Sequence, residues 1–241
     1  MSEIVPSILE KNFSEIKKKL EILRERAKCV QIDFCDGIYV PNSTWPFSAE
    51  ASKGAAFLEN NLDEHFYRII NEEEGMPYWQ DFDFEFDLMV SDAVEHFDLY
   101  TKLGPKRMIF HLGAQKNLEG FRHFLEGLDM YVRDNLEIGL AFRPSDDLEV
   151  VKKFSNKVDF LQVMGSDNIG HQGEAFSEKA LEDIKMLKKE LPGIVISVDI
   201  GINLQDAEMI IKAGVDRLVV GSAIWKSGDP IGALEEFQNL V

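Results

Sequence analysis

Eight short runs rich in Val, Ile and Phe recur along the chain, separated by charged segments in which apolar residues return every three or four positions. The runs are Glu3–Ser7, Cys29–Phe34, Phe84–Val90, Arg107–His111, Glu137–Phe142, Phe160–Met164, Ile194–Asp199 and Arg217–Val220. The segments between them are Phe13–Arg26, Ala93–Leu103, Leu118–Val132, Asp146–Phe154, Glu178–Leu191, Asn203–Ala213 and Ile231–Leu240. A short, continuous apolar run is a strand covered on both faces, and an amphipathic segment of helical period has one face to bury. The repeat therefore predicts βαβ units on a parallel sheet. Eight such units in 241 residues match a single (β/α)8 TIM barrel, which takes about 250 residues. A doubly wound open sheet is the alternative, but it would carry a Gly-rich turn after its first strand, and none is present.

Local punctuation agrees. Ser177 stands where it would cap a helix starting at Glu178, and Gly104 and Gly214 follow periodic segments where a C-terminal glycine is favoured. The rhythm breaks once, because about fifty residues separate the second strand from the third, far more than a βα unit needs. The chain thus reads as one barrel domain over 1–241 with an insertion at about 46–83. Two prolines bias Pro41–Phe47 to extended or turning backbone. Phe57–Asn71 reads as a helix with a partial stripe of Phe57, Leu62, Phe66, Ile69 and Ile70, and Glu72-Glu73-Glu74-Gly75 as its solvated end. Trp45, Phe47, Phe57, Phe66, Tyr67, Tyr78 and Trp79 offer anchors for a pocket lid, for an interface in a homo-oligomer, or for packing on the barrel's own helices.

Charge excludes several classes of partner. The formal net charge of −17 repels polyanions, so neither nucleic acid nor an anionic membrane surface is expected, and an anionic substrate needs a locally built site. Cys29 and Cys35 form neither a disulfide framework nor a CxxC pair. The opening residues lack the basic and apolar regions of a secretion signal, and no apolar run reaches the roughly 18 residues of a membrane span. A cytoplasmic protein is the expectation.

Barrel enzymes keep their chemistry at the C-terminal ends of the strands. Here those ends are Pro6-Ser7, Asp33, Asp87 with Met89, His111, Arg143, Met164, Asp199 and Gly221-Ser222. Period two puts Gln31 and Asp33 on one face of their strand, and Asp199 closes an apolar run where an idle carboxylate is costly. A single aspartate there is ordinarily a turn former or a cap. Two of them, on strands two and seven at roughly opposite sides of the ring, would flank a bound molecule. One carboxylate would take a proton from a carbon beside a carbonyl, and the other, protonated, would return one to the opposite face. Val219–Ile224 places backbone N–H groups where a strand enters a helix, and with Gly201 it suits an anion. Met89, Met164 and Cys35 would wall the mouth.

These residues carry a resemblance. Val5–Leu9, Ile32–Gly37 followed by Tyr39–Asn42, Asp87–Val90, Val198–Ile202 and Val220–Ile224 resemble, in order, segments of the ribulose-phosphate 3-epimerase family, over most of the chain except the insertion. The resemblance implies a (β/α)8 barrel that interconverts ribulose 5-phosphate and xylulose 5-phosphate through a metal-stabilised enediolate. It implies Asp33 and Asp199 as the acid/base pair, Ser7 as a substrate-contacting hydroxyl, Met89 and Met164 over the intermediate, and Gly201, Gly221 and Ser222 at the phosphate. His111 and Arg143, at the ends of strands four and five, join the expected substrate-binding set.

Departures from the family pattern are specific. Where the family holds its metal with His-x-Asp on strand two, a His on strand three and the Asp of strand seven, this chain has Gln31, Asp33, Asp87 and Asp199. That all-oxygen set favours Mg²⁺ or Mn²⁺ over Zn²⁺. Cys35 replaces a Met, Ile200 replaces a Gly after the second aspartate, Arg143-Pro144 replaces Asn-Pro, and Gly165–Gly173 replaces the family's glycine-rich phosphate loop. Two other readings accompany the epimerase: a related Mg²⁺-dependent barrel lyase or synthase, whose usual Lys near the strand-three Asp is missing, and a non-catalytic barrel that binds a phosphorylated metabolite.

Overall fold

Every strand expected from the sequence forms. In a computed structural model of the chain, which describes residues 2–47, 62–171 and 173–241, they are β1 (Glu3–Ile8), β2 (Cys29–Cys35), β3 (Asp83–Met89), β4 (Arg107–His111), β5 (Glu137–Phe142), β6 (Phe160–Met164), β7 (Val195–Asp199) and β8 (Arg217–Val220). Each pairs in parallel with the next and β8 pairs with β1, closing a (β/α)8 barrel. β2 is buried along its whole length, as expected of a strand packed by side chains inside and helices outside. The register sets Asp33 beside Asp87 and Met164 beside Asp199. Gln31 lies beside Glu85, and Glu85 beside Arg107.

The helices are α1 (Phe13–Leu23), α2 (Glu64–Ile70), α3 (Phe97–Thr101), α4 (Leu118–Gly127), α5 (Met130–Asn135), α6 (Leu148–Phe154), α7 (Glu178–Glu190), α8 (Leu204–Lys212), α9 (Ser222–Trp225) and α10 (Pro230–Gln238). Several differ from the sequence reading for local reasons. The expected helix Leu118–Val132 is two helices, because the Asp129 carboxylate accepts from Val132 N–H and starts a new one. The helix expected over 93–103 shrinks to α3, preceded by turns. Ser177 makes no side-chain cap to α7; its own N–H donates instead to the carbonyl of Gly165. The helix expected over 57–71 is α2, begun by the Asp63 cap, and residues 57–61 lie outside those described. α9, a single turn, is too short to show a period.

Of the aromatic anchors in the insertion, Trp45, Phe47 and Phe66 are buried against the barrel flank. Trp45 packs on Phe13, Phe34 and Phe66 at ring separations of 5.3, 5.6 and 6.1 Å. Tyr67 and Tyr78 are half-buried and Trp79 is exposed, while Phe57 falls outside the described residues. The opposite end of the barrel is closed by charge: Arg107 reaches Glu3, Glu85 and Glu137 at 3.2 to 3.5 Å, and Arg217 lies 2.9 Å from Glu137. Among the described residues, no helix is long and apolar enough to cross a membrane.

Candidate active site

The C-terminal end of β2 is pinned before any chemistry is arranged. Thr44 Oγ1 donates to the carbonyl of Asp33 at 2.6 Å and accepts from Cys35 N–H at 2.8 Å. Asp36 is structural: its carboxylate accepts from the N–H groups of Ile38, Tyr39 and Ser91, tying the loop after β2 to the loop after β3. Between these fixed loops the buried carboxylates of Asp33, Asp87 and Asp199 converge, with one oxygen from each lying within 4.8 Å of the others.

One side chain joins Asp33 and Asp199. The Gln31 side-chain amide donates through Nε2 to Asp33 Oδ1 at 2.7 Å and to Asp199 Oδ2 at 2.9 Å. Asp199 Oδ1 accepts from Ile200 N–H at 2.6 Å. Asp87 is held from its far side, with His111 Nε2 2.5 Å from Oδ1 and Gln162 Nε2 3.3 Å from Oδ2. Gln162 was not anticipated, although its position two before Met164 on β6 places it on the same inward face. Burial, and then the charge of Asp199, pushes the Asp33 carboxyl well above the ordinary range. Burial, and then the charge of Asp87, pushes Asp199 up to about 7. A buried carboxyl poised near neutrality is suited to acid/base work.

Above the carboxylates is a cleft with about 450 Å³ of empty space. It gathers Ser7, Asp33, Met89, Met164 and Asp199 together with Gly201, Gly221 and Ser222. Met89, Met164 and Cys35 belong to one apolar cluster, against which Ile200 and Leu9 pack. Gln31, Asp87 and His111 are buried and do not line the cleft. Arg143 does not line it either; its guanidinium is engaged by Asp146 at 3.1 Å. The loop after β6, which stands where the family has its phosphate loop, adds Gly170, His171 and Gly173 to the lining. Tethering of that loop is by Asn42 Nδ2 donating to the Gly170 carbonyl and by Ser145 N–H donating to Asp167.

Two consecutive residues after Asp199 have left-handed backbone, Ile200 at φ 74° and Gly201 at φ 79°. A Cβ on Gly201 would stand 2.6 Å from the backbone nitrogen of Phe176, so both conformation and space require glycine. Gly201→Ala is expected to destabilise the protein by about 1–3 kcal/mol. Urea unfolding checks this, and an unchanged midpoint would contradict it.

The donor chemistry suits a hard cation. Three carboxylates repel one another in a buried pocket, and Gln31 Oε1 beside them is buried with no hydrogen-bond partner among the described residues. A divalent ion would relieve the repulsion, and an oxygen-only set favours Mg²⁺ or Mn²⁺.

Residues 3–225 match the model of the ribulose-phosphate 3-epimerase family. The chain is 25% identical over 245 residues to a ribulose-phosphate 3-epimerase of Bacillus subtilis, covering 99% of both proteins. It is 27% identical over 242 residues to one of Helicobacter pylori, covering 99% of this chain and 97% of the relative. Among solved structures, KGPDC from Streptococcus mutans superposes with a TM-score of 0.68 at 13% identity, over 99% of this chain and 96% of the other. The 3-hexulose-6-phosphate synthase from Salmonella typhimurium does so with a TM-score of 0.65 at 16% identity, over 99% and 97%. At such identities the structural likeness speaks for the fold.

Proposed function

The chain belongs to the ribulose-phosphate 3-epimerase family and is an isomerase acting on carbohydrates, and from that premise we propose that it interconverts ribulose 5-phosphate and xylulose 5-phosphate by proton transfer between Asp33 and Asp199. The observation that carries this reading is the buried aspartate pair at the floor of the cleft, joined by one amide. The ionised member takes the proton from C3 of the ketose. The C3–H electron pair becomes the C2–C3 double bond of an enediolate, and the carbonyl oxygen takes the negative charge. The protonated member then delivers a proton to the opposite face of C3 as the carbonyl reforms, inverting that centre. Gln31 holds the two carboxyls at one spacing through both half-reactions.

Met89, Met164 and Ile200 exclude water from the apolar side of the cleft. The phosphate lies at the end formed by Gly201, Gly221 and Ser222, where backbone N–H groups bind an anion on a protein of net charge −17. Asp33, Asp87 and Asp199 would hold a divalent cation, which would supply neutralisation of the enediolate oxygen, and Gln31, whose Nε2 donates to two of these carboxylates, would brace them.

The direct test is formation of xylulose 5-phosphate from ribulose 5-phosphate after chelator dialysis, with Mn²⁺, Mg²⁺ or Zn²⁺ added back. Activity is expected with Mn²⁺ or Mg²⁺, and no turnover with any of the three would overturn the reading. Asp87→His introduces a borderline-soft ligand and is expected to raise zinc affinity at least about tenfold. If wild type keeps stoichiometric zinc through that dialysis, the oxygen-donor assignment is wrong.

A further inference from the structure

We propose that Ile200 is a specificity-determining residue whose side chain limits the length of the phosphorylated ketose that the cleft accepts. This rests on the reading above, in which the reacting carbon lies at Asp199 and the phosphate at Gly201. Ile200 is the residue between them.

The backbone at this position is unsuited to isoleucine. At φ 74° a side chain crowds its own carbonyl, and branching at Cβ makes the crowding worse. Among the described residues, the other non-glycine residues with positive φ are Glu25, Glu72 and Tyr78, and none of them is β-branched or lines the cleft. In the loop facing Ile200, Gly170 and Gly173 take left-handed backbone at φ 78° and 93°, which glycine does without strain.

The main-chain duties of residue 200 explain its conformation but not its side chain. Its N–H donates to Asp199 Oδ1 at 2.6 Å. Its carbonyl lies so close to Gly165 that a Cβ there would come within 2.1 Å of it. Glycine would make both contacts and relieve the strain. What isoleucine alone adds is bulk, packed on the apolar cluster of Met89 and Met164 and facing the cleft. Retained strain at a site wall is a mark of function. Bulk on the cleft wall, at the residue next to both Asp199 and Gly201, shortens the path open to a substrate that reaches from reacting carbon to phosphate. A pentulose 5-phosphate, with two bonds between C3 and C5, fits that path, and a hexulose 6-phosphate must place one more hydroxymethylene in it.

The test compares pentulose 5-phosphate with hexulose 6-phosphate, by calorimetric binding and by kcat/KM, in wild type, Ile200→Gly and Ile200→Asn. Wild type is expected to favour the pentulose by about 10- to 100-fold, the range for one extra group in a tight pocket. Ile200→Gly should narrow the preference to about threefold by gaining on the hexulose, with a melting temperature within about 4 °C of wild type. Asn tolerates left-handed backbone yet keeps much of the bulk, so Ile200→Asn should keep most of the preference. An unchanged preference in Ile200→Gly, or equal loss in both variants, would overturn the proposal. Discriminating binding without turnover would sink the epimerase reading and leave this one standing. Turnover of the pentulose with no effect of Ile200→Gly would do the reverse, and binding of neither ester would remove both.

Discussion

Asp33→Asn and Asp199→Asn are each expected to lower kcat for epimerisation by about a hundredfold to ten-thousandfold, the range for a positioned acid or base. The substitution is nearly isosteric, and both positions are buried beside the Gln31 amide, so the geometry of the floor should persist while the proton carrier is lost. Stability should not suffer at Asp33, where one oxygen accepts from Gln31. Each carboxyl is pushed up by burial and by its neighbours' charge, and a neutral amide carries neither cost. Asp33→Asn therefore separates catalysis from folding: activity falls while the unfolding midpoint holds or rises, whereas Asp199→Asn gives up one of the two bonds that Asp199 accepts from Gln31 and Ile200. Deuterium wash-in at C3 distinguishes the roles, because the surviving carboxylate still exchanges the proton on its own face of one epimer. Wild-type turnover in either variant would sink the two-aspartate mechanism.

Metal-free protein is expected to lose stability as the pH rises from about 5 through about 7, the reverse of ordinary acid denaturation. Burial pushes Glu85 up to about 7, with Arg107 and Arg217 drawing it partly back. Asp199 is pushed to about 7 and Asp33 well above its usual value, in both cases chiefly by burial. Groups with raised folded values bind protons that the unfolded chain has already released. Their stabilisation is therefore complete below the unfolded values, near 4, and is lost as pH passes the folded ones. Glu85 alone accounts for about 3 kcal/mol across that window. Glu119 and Glu126, held low by hydrogen bonds from Arg122 and Lys157 respectively, act in the opposite sense but are fully exposed and screened by solvent. Urea unfolding in chelator at pH 5.5, 7 and 8.5 reads the slope. Mn²⁺, which binds ionised carboxylates, should flatten it by stabilising the protein most at high pH, and Glu85→Gln should remove its own share. Stability in chelator that is flat or rises over this range would contradict the argument.

Much of the site was legible along the chain because strand ends are local features. Asp33, Asp87, Asp199, Met89 and Met164 follow from where each apolar run stops, and the closed barrel brings all five to one end. Arg143 shows the limit of that logic: it ends its strand as expected, but Asp146, three residues on, holds its guanidinium. The insertion shows the same limit for aromatic residues. Trp45, Phe47 and Phe66 look alike in sequence as lid, interface or core, and burial against Phe13 and Phe34 places them on the barrel flank.

The barrel, its strand order and the residues at each strand end can be read along the chain, because periods of two and 3.6 residues and the cost of burying idle charge act over a few neighbours at a time. How those residues meet is set by packing across the ring. Gln31 bridges two strands that are not neighbours in the ring, His111 and Gln162 each hold one oxygen of Asp87, and Ile200 takes left-handed backbone with its carbonyl against Gly165. Each of these depends on register and ring closure, which join residues up to 168 positions apart, and no pattern within one segment encodes such a distance.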